Sequence, residues 1–186
     1  MTKNLKLSLG ICLLLIGVYL INSKNQQKFI TKSLNLIKIQ PNEINRFIIQ
    51  NKQNMIEISR QDTGWTISGN DSLIVKDRSI DNFLNKVLNV KKNTLVTTQK
   101  GKWDTYSIDD SSGTHLALID KNGDTREYFV FGQSKTDYSR NYVRDDKSDN
   151  VYLTNESVIF YLRANDTYWG EKPKNIVPQD STITVK

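Results

Sequence analysis

The sequence has little cysteine and little histidine, with one residue of each type, Cys12 and His115, among 186. A lone histidine has no second histidine or cysteine with which to share a zinc ion, and within a strand it is far more often structural than catalytic. Cys12 lies inside an apolar run, where it cannot serve as an exported nucleophile. His-Glu-x-x-His, Cys-x-x-Cys, phosphate-loop and Gly-x-Ser-x-Gly patterns are all missing. We therefore expect no metal, no cofactor and no catalytic residue.

Acidic side chains cluster at two places in the chain. One cluster holds Asp104, Asp109 and Asp110, and the other lies between residues 145 and 149. Neither follows the spacing of a calcium loop, so we interpret both as solvated turns. Paired carboxylates of a glycoside hydrolase remain an open alternative, because their separation is a property of the folded chain.

Most of the chain also lacks net charge, although the whole sequence carries +6. Residues 1–40 contain six lysines and no acidic residue, which leaves 20 basic and 20 acidic residues in 41–186. A neutral body has no electrostatic footprint for DNA or RNA. We therefore expect no nucleic-acid partner.

An uncharged, mainly apolar stretch covers residues 7–23. As a helix it would be about 25 Å long, and flanking lysines could close the gap to a ~30 Å hydrocarbon core. These lysines are Lys3, Lys6, Lys24 and Lys28. The stretch predicts an uncleaved N-terminal transmembrane anchor in residues 1–23 that contacts the membrane through residues 7–23. A cleaved signal peptide is the alternative, but Ile21 and Ser23 make a poor cleavage site.

The orientation of this anchor rests on two observations. Lysines flank the apolar stretch on both sides, so the charge rule nearly ties. A six-residue N-terminal tail is easily left behind while a folded body is exported, which favours a body outside the cytoplasm. Residues 24–40 are polar and basic, and we interpret them as a juxtamembrane linker that is solvated or attracted to anionic lipid headgroups.

The body begins with alternating apolar residues typical of strands. Three such runs, at 47–49, 55–58 and 65–67, are separated by polar turns and predict a β-meander. Apolar residues then recur at i, i+3, i+4, i+7 and i+8, which predicts a helix capped by Ser79. These residues are Ile80, Phe83, Leu84, Val87 and Leu88.

The second half of the body repeats this order. Strands are predicted at 115–119 and 128–131, the latter ended by Gly132, and again at 141–144 and 151–153. A second helix is then predicted to begin near Thr154 or Asn155, because apolar residues follow at helical spacing. They are Val158, Tyr161 and Leu162.

Antiparallel meanders that are each followed by a helix indicate an α+β body with an internal duplication. Residues 176–185 match 39–49 weakly and resemble the opening strand of a third, incomplete unit. The predicted organisation is an anchor at 1–23, a linker at 24–40 and a single α+β domain at 41–186.

Two groups of side chains are candidates for binding a partner. Arg140, Tyr142 and Arg144 alternate, so they would lie on one strand face as an aromatic ring flanked by two guanidinium groups. The competing interpretation is a solvated face paired with neighbouring aspartates. Trp103 and Trp169 lie near turns and lysines, and we expect them to be half exposed.

Several motifs together resemble a known family. They are Gly64-Trp65, Tyr106-Ser107-Ile108, Phe131-Gly132, Tyr142-Val143-Arg144 and Val151-Tyr152. Their order after an N-terminal anchor resembles the domain-of-unknown-function family DUF4340, from about residue 41 to 170. The family's usual Gly-Leu after the tyrosine is here Ser107-Ile108.

Members of this family are typically membrane-anchored bacterial proteins, and many occur beside auxiliary components resembling those of gliding-motility ABC transporters. The resemblance implies a single-pass protein of the bacterial inner membrane, and no catalytic residue carries over. We expect a non-enzymatic accessory or scaffold module of an envelope complex that binds integral membrane proteins. The alternative is a binding module for an envelope polymer or small ligand. An anchored hydrolase would need converging carboxylates or a dyad with His115.

Overall fold

The computed structural model describes residues 10–21 and 30–173. Helix α1 covers residues 10–21. The other elements are β1 (Ile30–Asn35), β2 (Arg46–Gln50), β3 (Met55–Gln61), β4 (Gly64–Ile67), β5 (Ile74–Val75), α2 (Asp77–Asn82), β6 (Lys91–Thr97), β7 (Thr114–Ile119), β8 (Thr125–Gln133), β9 (Asn141–Asp145), β10 (Val151–Thr154), α3 (Asp166–Trp169) and β11 (Gly170–Glu171). Phe83–Val87 continue α2 as a π-helical turn.

Nine antiparallel strands form one sheet in the order β1-β6-β10-β9-β8-β7-β2-β3-β4. Strands β5 and β11 pair separately. Two long connections follow from this order, because the chain must pass from β4 at one edge to β6 near the other, and from β6 back to β7. The first connection carries α2 across one face of the sheet. The second crosses the opposite face.

The principal core lies between the sheet and α2. Phe47 of β2 stacks on Phe83 at a centroid distance of 4.0 Å, and Trp169 lies 5.2 Å from Phe47 and 6.0 Å from Phe83. None of the three side chains is exposed to solvent. Because they come from the sheet, α2 and the end of α3, their contact joins parts of the chain that are distant in sequence.

The opposite face is covered by residues 98–113, the connection between β6 and β7, which we name the clasp. Under it lies a smaller core of Ile108, Val130 and Val151, all fully buried. Partly buried residues complete this core. They are Val96, Trp103, Tyr106, Tyr128 and Tyr142.

The predicted α+β arrangement is wrong, since the fold is mainly one large antiparallel sheet with few helices. The two meanders join through the pairing of β2 with β7, so they are not separate units that each end in a helix. The helix predicted after Thr154 does not form. The Asn141 side chain accepts hydrogen bonds from the backbone N–H groups of Val158 (2.6 Å) and Ile159 (3.2 Å), which leaves only a 3₁₀ turn at Ile159–Tyr161.

The predicted transmembrane helix is also corrected. Within residues 10–21 and 30–173, no helix has both the length and the apolar character needed to cross a membrane. Four flanking lysines of the predicted anchor, Lys3, Lys6, Lys24 and Lys28, lie outside the described residues, as does the segment 176–185.

Residues 30–37 belong to the sheet and core rather than to a solvated spacer. Residues 30–35 form β1, which pairs with β6, and Leu36 and Ile37 are buried. Strand β6, with its polar start Lys91-Lys92-Asn93-Thr94, is a further element that the apolar pattern did not predict.

The remaining predicted strands and the first helix are confirmed, with two local differences. The Ser79 hydroxyl does not cap α2, because it donates to the carbonyl of Tyr168 (2.9 Å). Gly132 lies inside β8 rather than ending it. Its lack of a side chain matters there, since a Cβ would come within 2.7 Å of the Ser107 carbonyl oxygen and would also overlap that of Tyr106.

We expect Gly132→Ala to destabilise the protein by about 3 kcal/mol, because the added methyl group must push the clasp away from β8. Urea unfolding of the full chain measures the change. Gly101→Ala is the matched control, since a Cβ there meets nothing within 4 Å. Equal unfolding free energies for the two variants would contradict the close approach of the clasp.

Candidate functional site

Three of the five predicted binding residues meet at the clasp. Trp103 lies over Arg144, and Tyr142 packs against Tyr106 of the clasp at a centroid distance of 4.8 Å. Arg140 lies apart, before the start of β9, where it forms a surface ion pair with Asp137 (3.4 Å). Trp169 is fully buried in the principal core, so the expectation that it is half exposed is wrong. Its indole N–H donates to the Arg163 carbonyl (2.6 Å).

Arg144 is the centre of the cluster under the clasp. Its Nε donates to the carbonyl of Ile108 (2.8 Å), and its Nη2 donates to Oδ1 of Asp110 (2.6 Å). The guanidinium lies 4.0 Å from the centre of the Trp103 ring, a distance suited to a cation–π contact. The Arg144 side chain is 6% exposed whereas that of Asp110 is 86% exposed. A buried cation from the sheet is thus bound by the loop above it.

His115 of β7 forms a hydrogen bond with the same segment of the clasp, at Asp110. The pairing places His115 beside Val130, and Val130 beside Arg144, across β7, β8 and β9. The His115 Nε2 lies 3.2 Å from the Asp110 carbonyl oxygen, which can only accept. Nε2 therefore carries a proton, and Nδ1 forms a hydrogen bond with the Tyr128 hydroxyl. Burial raises the pKa of Tyr128.

The clasp contains a helical turn that ends at Ser107. The N–H of Ile108 donates to the Trp103 carbonyl (3.0 Å), and the N–H of Ser107 donates to the Asp104 carbonyl (3.1 Å). These are the two bonds of a Schellman motif, whose C′ residue adopts a left-handed conformation and is usually glycine. Ser107 occupies this position with a φ of 53°.

Two aspartates of the clasp, Asp109 and Asp110, already have hydrogen-bond partners within the protein. Asp109 accepts from the hydroxyl groups of Ser111 (2.5 Å) and Ser112 and from both of their backbone N–H groups, which holds the pKa of its carboxyl far below the usual range. Asp110 binds Arg144. Within the described residues, no group of three or more histidine, cysteine or acidic side chains could hold a metal ion.

The ring of His115 is fully engaged, and aromatic side chains surround Arg144. Both ring nitrogens of His115 have partners, so the histidine offers no free base to a nucleophile. Around the buried Arg144, the side chains of Trp103, Tyr106 and Tyr142 remain partly exposed, and we name these three the aromatic rim. Lys100 extends the cluster, with its ammonium 5.1 Å from the centre of the Trp103 ring.

The sequence pointed to Asp110 only as part of a solvated acidic turn and to Tyr106 and Ile108 only as part of a family motif. It gave no role to Tyr128. One signal was available, because Tyr128, Val130 and Gly132 alternate with the core residues Phe129 and Phe131 and so define a second buried face. The contact residues of the clasp lie in an irregular connection, so no such alternation marks them in the sequence.

We expect Arg144→Met to destabilise the protein by about 2 kcal/mol, because the buried Ile108 carbonyl loses its donor. Arg140→Met, the matched control on the same segment, should change the unfolding free energy by less than about 0.5 kcal/mol, since it removes only a surface ion pair. Chemical denaturation of both variants tests this difference. Equal effects would show that Arg144 does not hold the clasp.

We expect Ser107→Gly to stabilise the protein by about 1 kcal/mol, because glycine adopts the left-handed conformation without the steric cost of a Cβ atom. Ser107→Ala keeps that cost and should stay close to the wild type. The midpoint of thermal unfolding distinguishes the two variants. If glycine were no better than alanine, the left-handed conformation at this position would be disproved.

Comparison with known proteins completes the description of the site. No curated protein and no solved structure matches the chain. The model of the family "Domain of unknown function (DUF4340)" matches residues 65–173, which is more than half of the chain. This segment contains α2, the clasp, Arg140 and Arg144. The chain therefore belongs to the DUF4340 family.

Proposed function

We propose that the chain is a non-enzymatic accessory or scaffold module of an envelope complex. It is held at the bacterial plasma membrane through residues 7–23, with its body outside the cytoplasm. The aromatic rim is the observation that carries this proposal, and it is the surface through which the module contacts its partner.

The composition of the rim is that of a protein-binding surface. Tryptophan, tyrosine and arginine dominate the residues that contribute most to protein–protein affinity. In the clasp, Trp103 and Tyr106 stand beside Tyr142 above a guanidinium that is already paired and buried. A partner would therefore bury aromatic area without having to desolvate a free charge.

The apolar surface of α1 supports attachment to a membrane. Every large apolar side chain that α1 carries is more than half exposed, from 54% for Ile11 to 70% for Tyr19. An exposed apolar surface of this kind marks a contact with a membrane or with another protein. Attachment to lipid through residues 7–23 fits this surface, and it favours an integral membrane protein as the partner. The family resemblance makes a transporter subunit the first such partner to test.

The alternative function, a pocket for an envelope polymer or small ligand lined by the candidate tryptophans, has less support. Five of the cavities among the described residues are lined by other side chains, and neither Trp103 nor Trp169 contributes to these five. A half-exposed rim outside these cavities suits a protein surface better than a small molecule.

Site-specific photocrosslinking in intact membranes tests the proposal. We expect a benzophenone amino acid at Lys100, an exposed clasp position beside Trp103, to give one discrete adduct with an integral membrane protein. Replacing Tyr142 by serine in the same chain should weaken this adduct several-fold, because it removes part of the rim.

The control places the same benzophenone at Phe160, which is 49% exposed and lies outside the clasp. It should give no adduct with that partner. Equal adducts from both positions would contradict a contact through the rim. Extraction of the chain as a lone monomer in mild detergent would count against a membrane complex altogether.

A further inference from the structure

A polar groove opens at the end of the sheet where β7 turns into β8. Two cavities of about 300 and 530 Å³ share five lining residues here, and we name this region the turn groove. The shared residues are Asn45, Arg60, Asp120, Lys121 and Asn122. Three chain segments converge on it, because the Asn45 N–H donates to the Ile119 carbonyl (2.9 Å) and the Arg60 N–H donates to the Asn45 carbonyl (2.7 Å).

Arg60 is held in a fixed position within the groove. Its Cζ lies 4.6 Å from the centre of the Trp65 ring, and its Nη2 donates to the Pro41 carbonyl (2.9 Å). Its Nε is buried and has no hydrogen-bond partner in the described part of the chain. The covered Nε cannot reach a ligand, so a ligand in the groove would meet the Nη groups of a guanidinium whose position is fixed by stacking.

The acidic side chain shared by both cavities is already neutralised. Asp120 is 6% exposed, and its carboxylate accepts from the backbone N–H groups of Asn122 (2.9 Å) and Asp124 (3.1 Å) and from Arg126 (3.3 Å). Burial opposes its ionisation, but these donors outweigh burial and lower the pKa of Asp120. The carboxylate therefore binds the backbone N–H groups of the turn and Arg126, and it forms no ion pair with Arg60 or Lys121.

The remaining charges of the groove favour an anion. The two cavities are lined by four cationic side chains, of which Arg126 is paired with Asp120 and Arg46 with Glu57. The second acidic lining residue, Glu43, accepts from the N–H of Gln40 (2.9 Å). Arg60 and Lys121 have no carboxylate partner among the described residues.

We propose that the turn groove binds the phosphate group of an anionic ligand, with Arg60 and Lys121 as its cationic contacts and the side-chain amides of Asn45 and Asn122 as neutral donors. These donors come from three chain segments that line both cavities. Four donor groups suit the several oxygens of a phosphate better than the two oxygens of a carboxylate. The site is separate from the aromatic rim and does not depend on its function.

Calorimetric titration of the full chain in neutral detergent with inorganic phosphate tests this proposal. We expect saturable binding with a dissociation constant of about 1 mM, a value reasonable for a five-atom ligand. Arg60→Gln and Lys121→Gln should each weaken binding by about tenfold, because each removes one charge-assisted hydrogen bond. Lys121 is exposed in a turn, so its variant keeps the fold even if Arg60→Gln does not.

The matched control is Arg163→Gln, which removes an exposed arginine stacked on Phe160 outside the groove and should leave phosphate binding unchanged. Chloride at equal ionic strength should not compete. Absence of saturable phosphate binding would overturn the proposal. So would a Lys121→Gln variant that binds as tightly as the wild type.

A second measurement identifies the source of the phosphate group. The chain is placed in vesicles of phosphatidylglycerol or of phosphatidylcholine, and free phosphate is titrated again. If the natural ligand is an anionic lipid headgroup, phosphatidylglycerol occupies the groove and suppresses phosphate binding. If the ligand is soluble, phosphate binds equally in both vesicles.

Discussion

The contact between Arg144 and the clasp is the interaction on which the second face of the sheet depends. A nine-stranded sheet exposes two faces, and α2 with the segments around it can cover only one. The other face is crossed by a single loop, and the small core between loop and sheet has three fully buried apolar residues and five partly buried ones. So small a core contributes little against the entropy of ordering a loop of this length, and polar contacts add to it. Arg144 does so by binding both a carbonyl and a carboxylate of the clasp.

The arrangement around Arg144 avoids the usual cost of a buried charge. An ion pair removed completely from water is seldom favourable, because desolvation of both partners offsets their attraction. Here the Asp110 carboxylate stays in solvent while the guanidinium is covered by Trp103 and paired with a carbonyl. Gly132 lets the clasp approach β8 closely enough for these bonds. The consequence is a thin cover whose aromatic side chains cannot all be buried, and the partly exposed rings that remain form the proposed contact surface.

Local patterns predicted seven of the eleven strands, β2 to β4 and β7 to β10, and also α2, because each has one apolar face against the core. Alternation at Phe47 and Ile49, and the helical spacing of Ile80 and Phe83, follow directly from that burial. Strand β6 was missed because its polar first half hides the alternation. The cluster of the clasp was predicted in part, since Tyr142 and Arg144 do share a face. What they contact could not be predicted. The β6–β7 connection reaches them because of the order of the strands in the sheet, and the spacing of apolar residues does not show that order.

The two proposed surfaces lie at opposite ends of the same strand. His115, near the start of β7, fixes the clasp, and Asp120, just after its end, shapes the turn groove. Five residues of extended chain separate them by about 17 Å. Strand β7 is paired with β2 and β8 on both sides, so it holds this separation rigidly. A ligand in the groove can therefore bind without displacing the clasp, and a module built this way can contact a protein partner and an anionic ligand at the same time.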